Sequence, residues 1–386
     1  MSAWGSSLLE LWLALAVVLR ALGLRELYRL ARRSAPAERA APRALAGIAL
    51  VRPLYGAPAS LEHCLESLCR AARTASVPIH VGFEDPSDPC AAVLQRVRAR
   101  WPDVEMDVRA GEGPPGANRK VANQLQILRG VQADLLILTD ADVEVPEDFV
   151  RRMTEPFSDP RVGLVTCPYR SVPGGGLPSR LDALLTNLCD LPRFCLALRV
   201  EGLHFGLGAA MAVRRDALTR AGGLEALLDR AADDYGLAHN VETAGYRLAW
   251  SPVMLDHHLE CETFSGTLSR HLRWARVTRH SRLGGYLGAS ILHGMVPAAL
   301  LAAWGATAGA PGLTLLLGWW ALEALGLWPS RALLGLRARD LVWLPVIDAL
   351  SLGVFLGGLV GRARGPGAQR IGWRWATTRP GRRRAA

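Results

Sequence analysis

Residues 135–142 read Leu-Leu-Ile-Leu-Thr-Asp-Ala-Asp, a short apolar run that ends abruptly in two carboxylates one residue apart. A run this short, rich in Leu and Ile and followed by Pro146, predicts a strand buried on both faces, as in a parallel sheet. Asp140 and Asp142 then fall at the strand's carboxyl end, where open α/β sheets bind their ligands. Two hard oxygen donors there suit Mg2+ or Mn2+ with a shell completed by phosphate oxygens, which is how a nucleotide diphosphate is held. Taken alone, the pair is equally compatible with a solvated turn, with Asp142 as a helix cap. Phosphatases with an aspartyl nucleophile also set D-x-D after a strand, but follow it with a small residue and then Thr or Val. Val143 and Glu144 fit that pattern poorly.

Further short apolar runs, Gly47 to Val51, Ile79 to Phe83 and Val162 to Thr166, alternate with helical patterns at Leu61 to Ala75 and Ala91 to Trp101. That rhythm predicts an α/β domain over residues 45–280, with crossover helices on a mostly parallel sheet. Either side of it the chain is more apolar. Residues 7 to 24 form an apolar segment interrupted by Glu10 and Arg20 and followed by Arg25, Arg29, Arg32 and Arg33. Basic residues after the run, with no small-residue cleavage site, predict an uncleaved N-terminal anchor over 1–33 with its carboxyl end in the cytoplasm. An interfacial amphipathic helix is the alternative. Tyr286 to Ala306, Leu313 to Leu327 and Leu341 to Val360 are runs near spanning length, giving a membrane region over 285–361. Glu323 and Asp348 within them should face another helix or a cavity. A basic tail, 362–386, follows.

The net charge of +10 is carried by arginine, since Lys120 is the sole lysine. Membrane-flanking segments account for the excess, and aromatic residues are not interleaved with basic ones, so no nucleic-acid partner is expected. Seven cysteines without a C-x-x-C pair predict reduced thiols facing the cytosol. His257, His258 and Cys261 lie close in sequence, but no second ligand pair is spaced to complete a zinc site.

Four more clusters lie in the central domain. Asp88, with Glu84 and Asp85, follows the run Ile79 to Phe83, where a carboxylate can hold a base or ribose. Gly116-Ala117-Asn118-Arg119-Lys120 opens a helix, and a helix N-terminus with a lysine favours phosphate. Asp233-Asp234-Tyr235 precedes an apolar helix and is either a cap or the source of a general base. Arg270, Arg273 and Trp274 share one helical face, suited to a departing diphosphate or, as juxtamembrane arginines, to lipid headgroups.

In this order, Asp88, G-x-N-x-K, D-x-D, the acid pair and R-x-x-R-W, the chain resembles the processive-type family 2 and family 21 glycosyltransferases. The ceramide glucosyltransferases and bacterial hopanoid-associated glycosyltransferases are the nearest in motif. The resemblance implies a cytoplasmic GT-A domain, Rossmann-like, that uses a UDP-sugar and a divalent metal in an inverting single displacement. Residue by residue it implies that Arg52, Pro53, Asp88, Asn118, Lys120 and Asp140 line the nucleotide-sugar site. Asp140 and Asp142 would hold Mg2+ or Mn2+, Asp234 would be the base, and Arg270, Arg273 and Trp274 would close on the leaving group. Arg270 stands where many relatives have glutamine, a variant of the lipid-modifying branch. The expected function is hexose transfer, from UDP-glucose first, to a membrane lipid, ceramide first, by an integral protein of a bacterial-type inner membrane. Transfer of N-acetylglucosamine to a hopanoid, processive polysaccharide synthesis and a nucleotide-sugar-binding scaffold are the alternatives.

Overall fold

A computed structural model describes residues 3–32, 47–260, 263–307 and 312–361. Cys261 and the basic tail lie outside them, and the six described cysteines are free and buried. Along the chain run α1 (Ala3–Arg32), β1 (Ile48–Pro53), α2 (Leu61–Ala75), β2 (Ile79–Phe83), α3 (Cys90–Arg100), β3 (Met106–Ala110), α4 (Arg119–Ile127) and β4 (Leu135–Thr139). Next come β5 (Val143–Glu144), α5 (Phe149–Thr154), β6 (Val162–Thr166), β7 (Tyr169–Pro173), α6 (Gly176–Leu185), α7 (Leu191–Val200), β8 (Ala210–Arg214) and α8 (Arg215–Arg220). The last elements are α9 (Asp233–Thr243), β9 (Arg247–Trp250), β10 (Leu255–Leu259), α10 (Phe264–Ser281), α11 (Leu283–Gly288), α12 (Met295–Thr307), α13 (Gly312–Leu327) and α14 (Leu344–Leu359).

These elements form two compact units that interleave along the sequence. A sheet unit holds 47–167 and 205–251, and a helical unit holds the remaining described residues. Segments 168–204 and 252–280 thus belong with the apolar helices rather than with the sheet, unlike the contiguous 45–280 block expected from sequence.

In the sheet unit seven strands lie in the order β3-β2-β1-β4-β8-β6-β9. The β3-β2, β2-β1, β1-β4 and β6-β9 pairs are parallel, and β8 is antiparallel to both its neighbours. All five residues of β4 are buried, as its unbroken apolar run requires. Ala49, Val51, Leu136 and Leu138 pack with Val121 and Ile127 of α4 and Leu237 and Val241 of α9 into one core. Strand order reverses at β1, between β2 and β4, so the crevice beyond the carboxyl ends of β1 and β4 is the place where such sheets bind ligands.

In the helical unit, close approaches rest on small residues. A Cβ at Gly23 of α1 would lie 2.6 Å from the Pro192 carbonyl of α7. One at Gly357 of α14 would lie 2.6 Å from Leu272 of α10, and one at Gly358 would lie 2.8 Å from Ala275. Among the described residues two helices are long and apolar enough to cross a membrane, Gly5–Arg29 and Ala338–Leu359, and a bent pair, Leu283–Leu292 with Met295–Gly305, adds a third if it is one span. The run at Leu313 to Leu327 is described as the 16-residue α13. Its Glu323, with Asp348 of α14, pairs with Arg20 of α1, and Asp348 also accepts from Trp319 Nε1 at 3.1 Å.

Candidate active site

Asp140 leaves β4 at its carboxyl end, and its N–H donates to the Ala209 carbonyl at 3.1 Å. A two-residue turn follows, with Asp142 half-buried before β5. Lys120, in the first turn of α4 and 6% exposed, reaches into this turn. Its Nζ lies 2.5 Å from Asp140 Oδ1 and 3.4 Å from Asp233 Oδ2. One ammonium therefore joins the D-x-D to the acid pair that opens α9. Burial alone would pull the Lys120 pKa down, but the charges of Asp140 and Asp233 outweigh it and hold the amine above its ordinary value.

The carboxylates move the other way. Burial, opposed by Lys120 and reinforced by Asp142, raises Asp140 to about 6. Asp234, beside Asp233 at the start of α9, is also raised to about 6, by burial and then by the Asp233 charge. Asp234 Oδ1 accepts the Tyr235 N–H at 2.7 Å. A Cβ at Gly208 would lie 3.1 Å from Asp234 Oδ2 and one at Gly206 2.8 Å from the Asp234 carbonyl, so this glycine-bearing loop lies directly against the acid. The hard carboxylate oxygens of Asp140 and Asp142 are the donor type a divalent ion such as Mg2+ or Mn2+ takes, and one of them, Asp140 Oδ1, is shared with the Lys120 ammonium.

Two residues expected at the ligand serve the backbone instead. Asn118 is 2% exposed: its Oδ1 caps α4 by accepting from Val121 N–H, and its Nδ2 donates to the Arg230 carbonyl at 2.9 Å. The preceding N–H groups of Ala117 and Asn118 go to Asp229 Oδ1 and the Leu228 carbonyl, so the 228–230 loop holds the start of this helix. Asn118 thereby fixes the helix that aims Lys120. Arg52 is wholly buried, with Nε on Thr139 Oγ1 at 3.0 Å, Nη1 on the Cys64 carbonyl at 2.7 Å and Nη2 on the Val143 carbonyl at 3.0 Å. It lines the underside of the D-x-D turn and not a ligand-facing surface. Pro53, also buried, ends β1. Asp88 accepts from the N–H of Gly56 with both oxygens, at 2.9 and 3.0 Å, and from Cys90 N–H at 2.8 Å, joining the loop after β1 to the start of α3.

Arg270, Arg273 and Trp274 lie on α10 of the helical unit. Sequence reasoning passed over the side chains that orient this motif. Asp182 of α6, 1% exposed, holds His271 Nε2 at 2.9 Å and lies 3.1 Å from Arg270. His271 Nδ1 faces Asp190 at 3.6 Å, and the Trp274 ring meets the imidazole edge-on at 5.2 Å. Asp190 closes a π-helical turn, Thr186–Asp190, between α6 and α7, a local distortion often found at functional sites. The available signal was Asp182 itself, one acid in the apolar run Leu181 to Leu185. Asp233, the second partner of Lys120, was visible as half of an acid pair.

Comparison with known proteins agrees with this architecture. A solved mannosyltransferase, PcManGT from Pyrobaculum calidifontis in complex with GDP-Man and Mn2+, is similar at a TM-score of 0.53 and 20% identity, over 90% of this chain and 99% of that one. The sheet unit carries the GT-A fold. Ceramide glucosyltransferase 3 of Caenorhabditis elegans is 21% identical over 234 residues, 60% of this chain and 50% of that protein. Beta-monoglucosyldiacylglycerol synthase of Synechocystis sp. is 31% identical over 80 residues, 21% of this chain and 16% of that protein. The chain thus spans half the length of the first relative and a smaller part of the second. The model of the family described as glycosyl transferase family 21 matches residues 10–377, nearly the whole sequence, and the chain belongs to that family.

Proposed function

We infer that this protein transfers a hexose, glucose in the first instance, from a UDP-sugar to the hydroxyl of a membrane lipid, with ceramide as the first acceptor. The observation that carries the reading is the Lys120 ammonium joining Asp140 to Asp233, because it draws a diphosphate-binding turn and a candidate base into one site. Family membership and the names of the two relatives, a ceramide glucosyltransferase and a monoglucosyldiacylglycerol synthase, support donor and acceptor class.

In this reading Asp140 and Asp142 hold Mg2+ or Mn2+, which when bound neutralises the diphosphate of the donor. Asp234 accepts the proton of the lipid hydroxyl as its oxygen bonds to the anomeric carbon. The bond from that carbon to the diphosphate breaks on the opposite face, so configuration inverts and UDP departs. Lys120 is the cation within the site, able to follow the diphosphate charge as it develops. On the motif alone, Arg270, Arg273 and Trp274 are assigned to the departing diphosphate.

The test is UDP release by the detergent-solubilised chain from UDP-glucose and UDP-N-acetylglucosamine, with Mn2+ or Mg2+, on ceramide, diacylglycerol and hopanoid acceptors in parallel. Acceptor-dependent release is expected, falling by about 100-fold or more in Asp142→Ala. In Asp234→Asn turnover should be lost while UDP still binds, because only proton removal is affected. Release without any lipid, with products longer than one sugar, would move the reading to polysaccharide synthesis. UDP binding with no donor consumed on any acceptor would leave a nucleotide-sugar scaffold.

A further inference from the structure

Arg52 is the one fully buried arginine in the sheet core, and its place is unusual on physical grounds. A buried guanidinium ordinarily meets a carboxylate, because an uncompensated charge in a low-dielectric interior is costly. Among the described residues Arg52 makes no ion pair: its hydrogen bonds go to three neutral oxygens. Two of those oxygens belong to Thr139 and Val143, the residues immediately before Asp140 and immediately after Asp142. The third, the Cys64 carbonyl, belongs to α2, so the fork ties the turn to a rigid helix. The parallel register explains how it gets there. Val51 of β1 lies beside Leu138 of β4, and the next residue of each strand is Arg52 and Thr139.

We propose that Arg52 is a positioning residue for the D-x-D turn, bracing both ends from beneath so that Asp140 and Asp142 present their carboxylates together to a divalent cation. This rests on the metal reading of that turn given above. A planar fork with fixed donor directions suits the task, since it holds three acceptors in one plane where an ammonium makes point contacts. Its charge acts against its geometry. A buried cation beneath two carboxylates repels an incoming metal ion, so electrostatics alone would have the ion bind more tightly once Arg52 is removed. Bracing has the opposite sign, and the direction of the change separates the two.

The experiment is Mn2+ binding to the solubilised full chain, read by electron paramagnetic resonance with and without UDP. Wild type should bind Mn2+ in the presence of UDP. Arg52→Met should weaken that binding about tenfold or more, in the range seen when a residue supporting metal ligands is lost. Arg52→Lys should recover part of it. Leu50→Ala, a buried change in the same strand, supplies a matched loss of stability and should leave Mn2+ affinity unchanged. Where Arg52→Met does not fold, Thr139→Val removes one partner of the fork with little change of shape and should weaken Mn2+ about fivefold. Unchanged or tighter Mn2+ binding in Arg52→Met or Thr139→Val would overturn the proposal, as would equal weakening in Leu50→Ala. No Mn2+ bound by wild type with UDP present would overturn the metal reading itself.

Discussion

At the scale of single residues, the site is a balance of charge around one lysine. Asp140, Asp233 and Asp234 crowd Lys120, and burial with mutual repulsion raises Asp140 and Asp234 to about 6. An ordinary aspartate ionises near pH 4. With Asp234 as the base proposed above, kcat/KM should rise with pH through that region and level above it. Asp233→Asn removes the charge that, after burial, contributes most to raising Asp234, so the acid limb should move to lower pH. A pH profile of kcat/KM with its limb unmoved in that variant would remove Asp234 from the role of base. Lys120, Asp140, Asp142 and Asp234 stand out in the sequence because each sits at a chain position, strand end or helix start, where polar side chains meet ligands. Arg52 and Asn118 occupy the same kinds of position and were assigned the same way. Their partners set them apart from the likewise buried Lys120: Lys120 meets the carboxylates of Asp140 and Asp233, whereas Arg52 and Asn118 bond neutral oxygens far along the chain, Val143 for Arg52 and Arg230 for Asn118.

At the scale of elements, periodicity carried the buried strands and the helices that cover them. The range Leu61–Ala75 of α2 follows its apolar stripe to the residue, and it ends at Ser76 in the left-handed region, φ 53°, where the chain turns back toward β2. The edge strand β3 was missed because Met106–Ala110 is half-exposed and carries Asp107 and Arg109. The antiparallel course of β8 was missed too, since nothing in Ala210–Arg214 states its direction. The helix that aims Lys120 depends on a glycine in β2. A Cβ at Gly82 would lie 2.5 Å from Ile127 Cγ1 and 3.0 Å from Asn123 Oδ1, both buried on α4, and Asn123 Nδ2 donates to the Gly82 carbonyl at 2.9 Å. Gly82→Ala should therefore force α4 away from the sheet and destabilise the fold by about 1–3 kcal/mol. Thermal unfolding within about a degree of wild type would show that α4 yields without strain.

At the scale of the whole molecule, the apolar runs were plain in the sequence and the interleaving of the two units was not. Residues 168–204 precede part of the sheet in sequence, and the seating of α1 on α7 and of α14 on α6 assigns them to the helical unit. Glu323 and Asp348 were expected to face another helix or a cavity, and both face Arg20 of α1. Removing one member of a buried ion group leaves the rest uncompensated. Arg20→Leu should cost about 3–5 kcal/mol, seen as loss of folded protein in detergent, and adding Glu323→Gln and Asp348→Asn should restore much of it. Arg20→Leu as stable as wild type would mean the three charges are hydrated rather than paired.

The same triad has a consequence in time. After Arg20 the ribosome adds about 300 further residues before Glu323 and Asp348 exist, an interval of roughly 15–60 s. Throughout that interval the first helix carries an arginine without its answering carboxylates. A chain halted before Glu323 therefore keeps Arg20 in an apolar segment without the two carboxylates that pair with it in the folded protein.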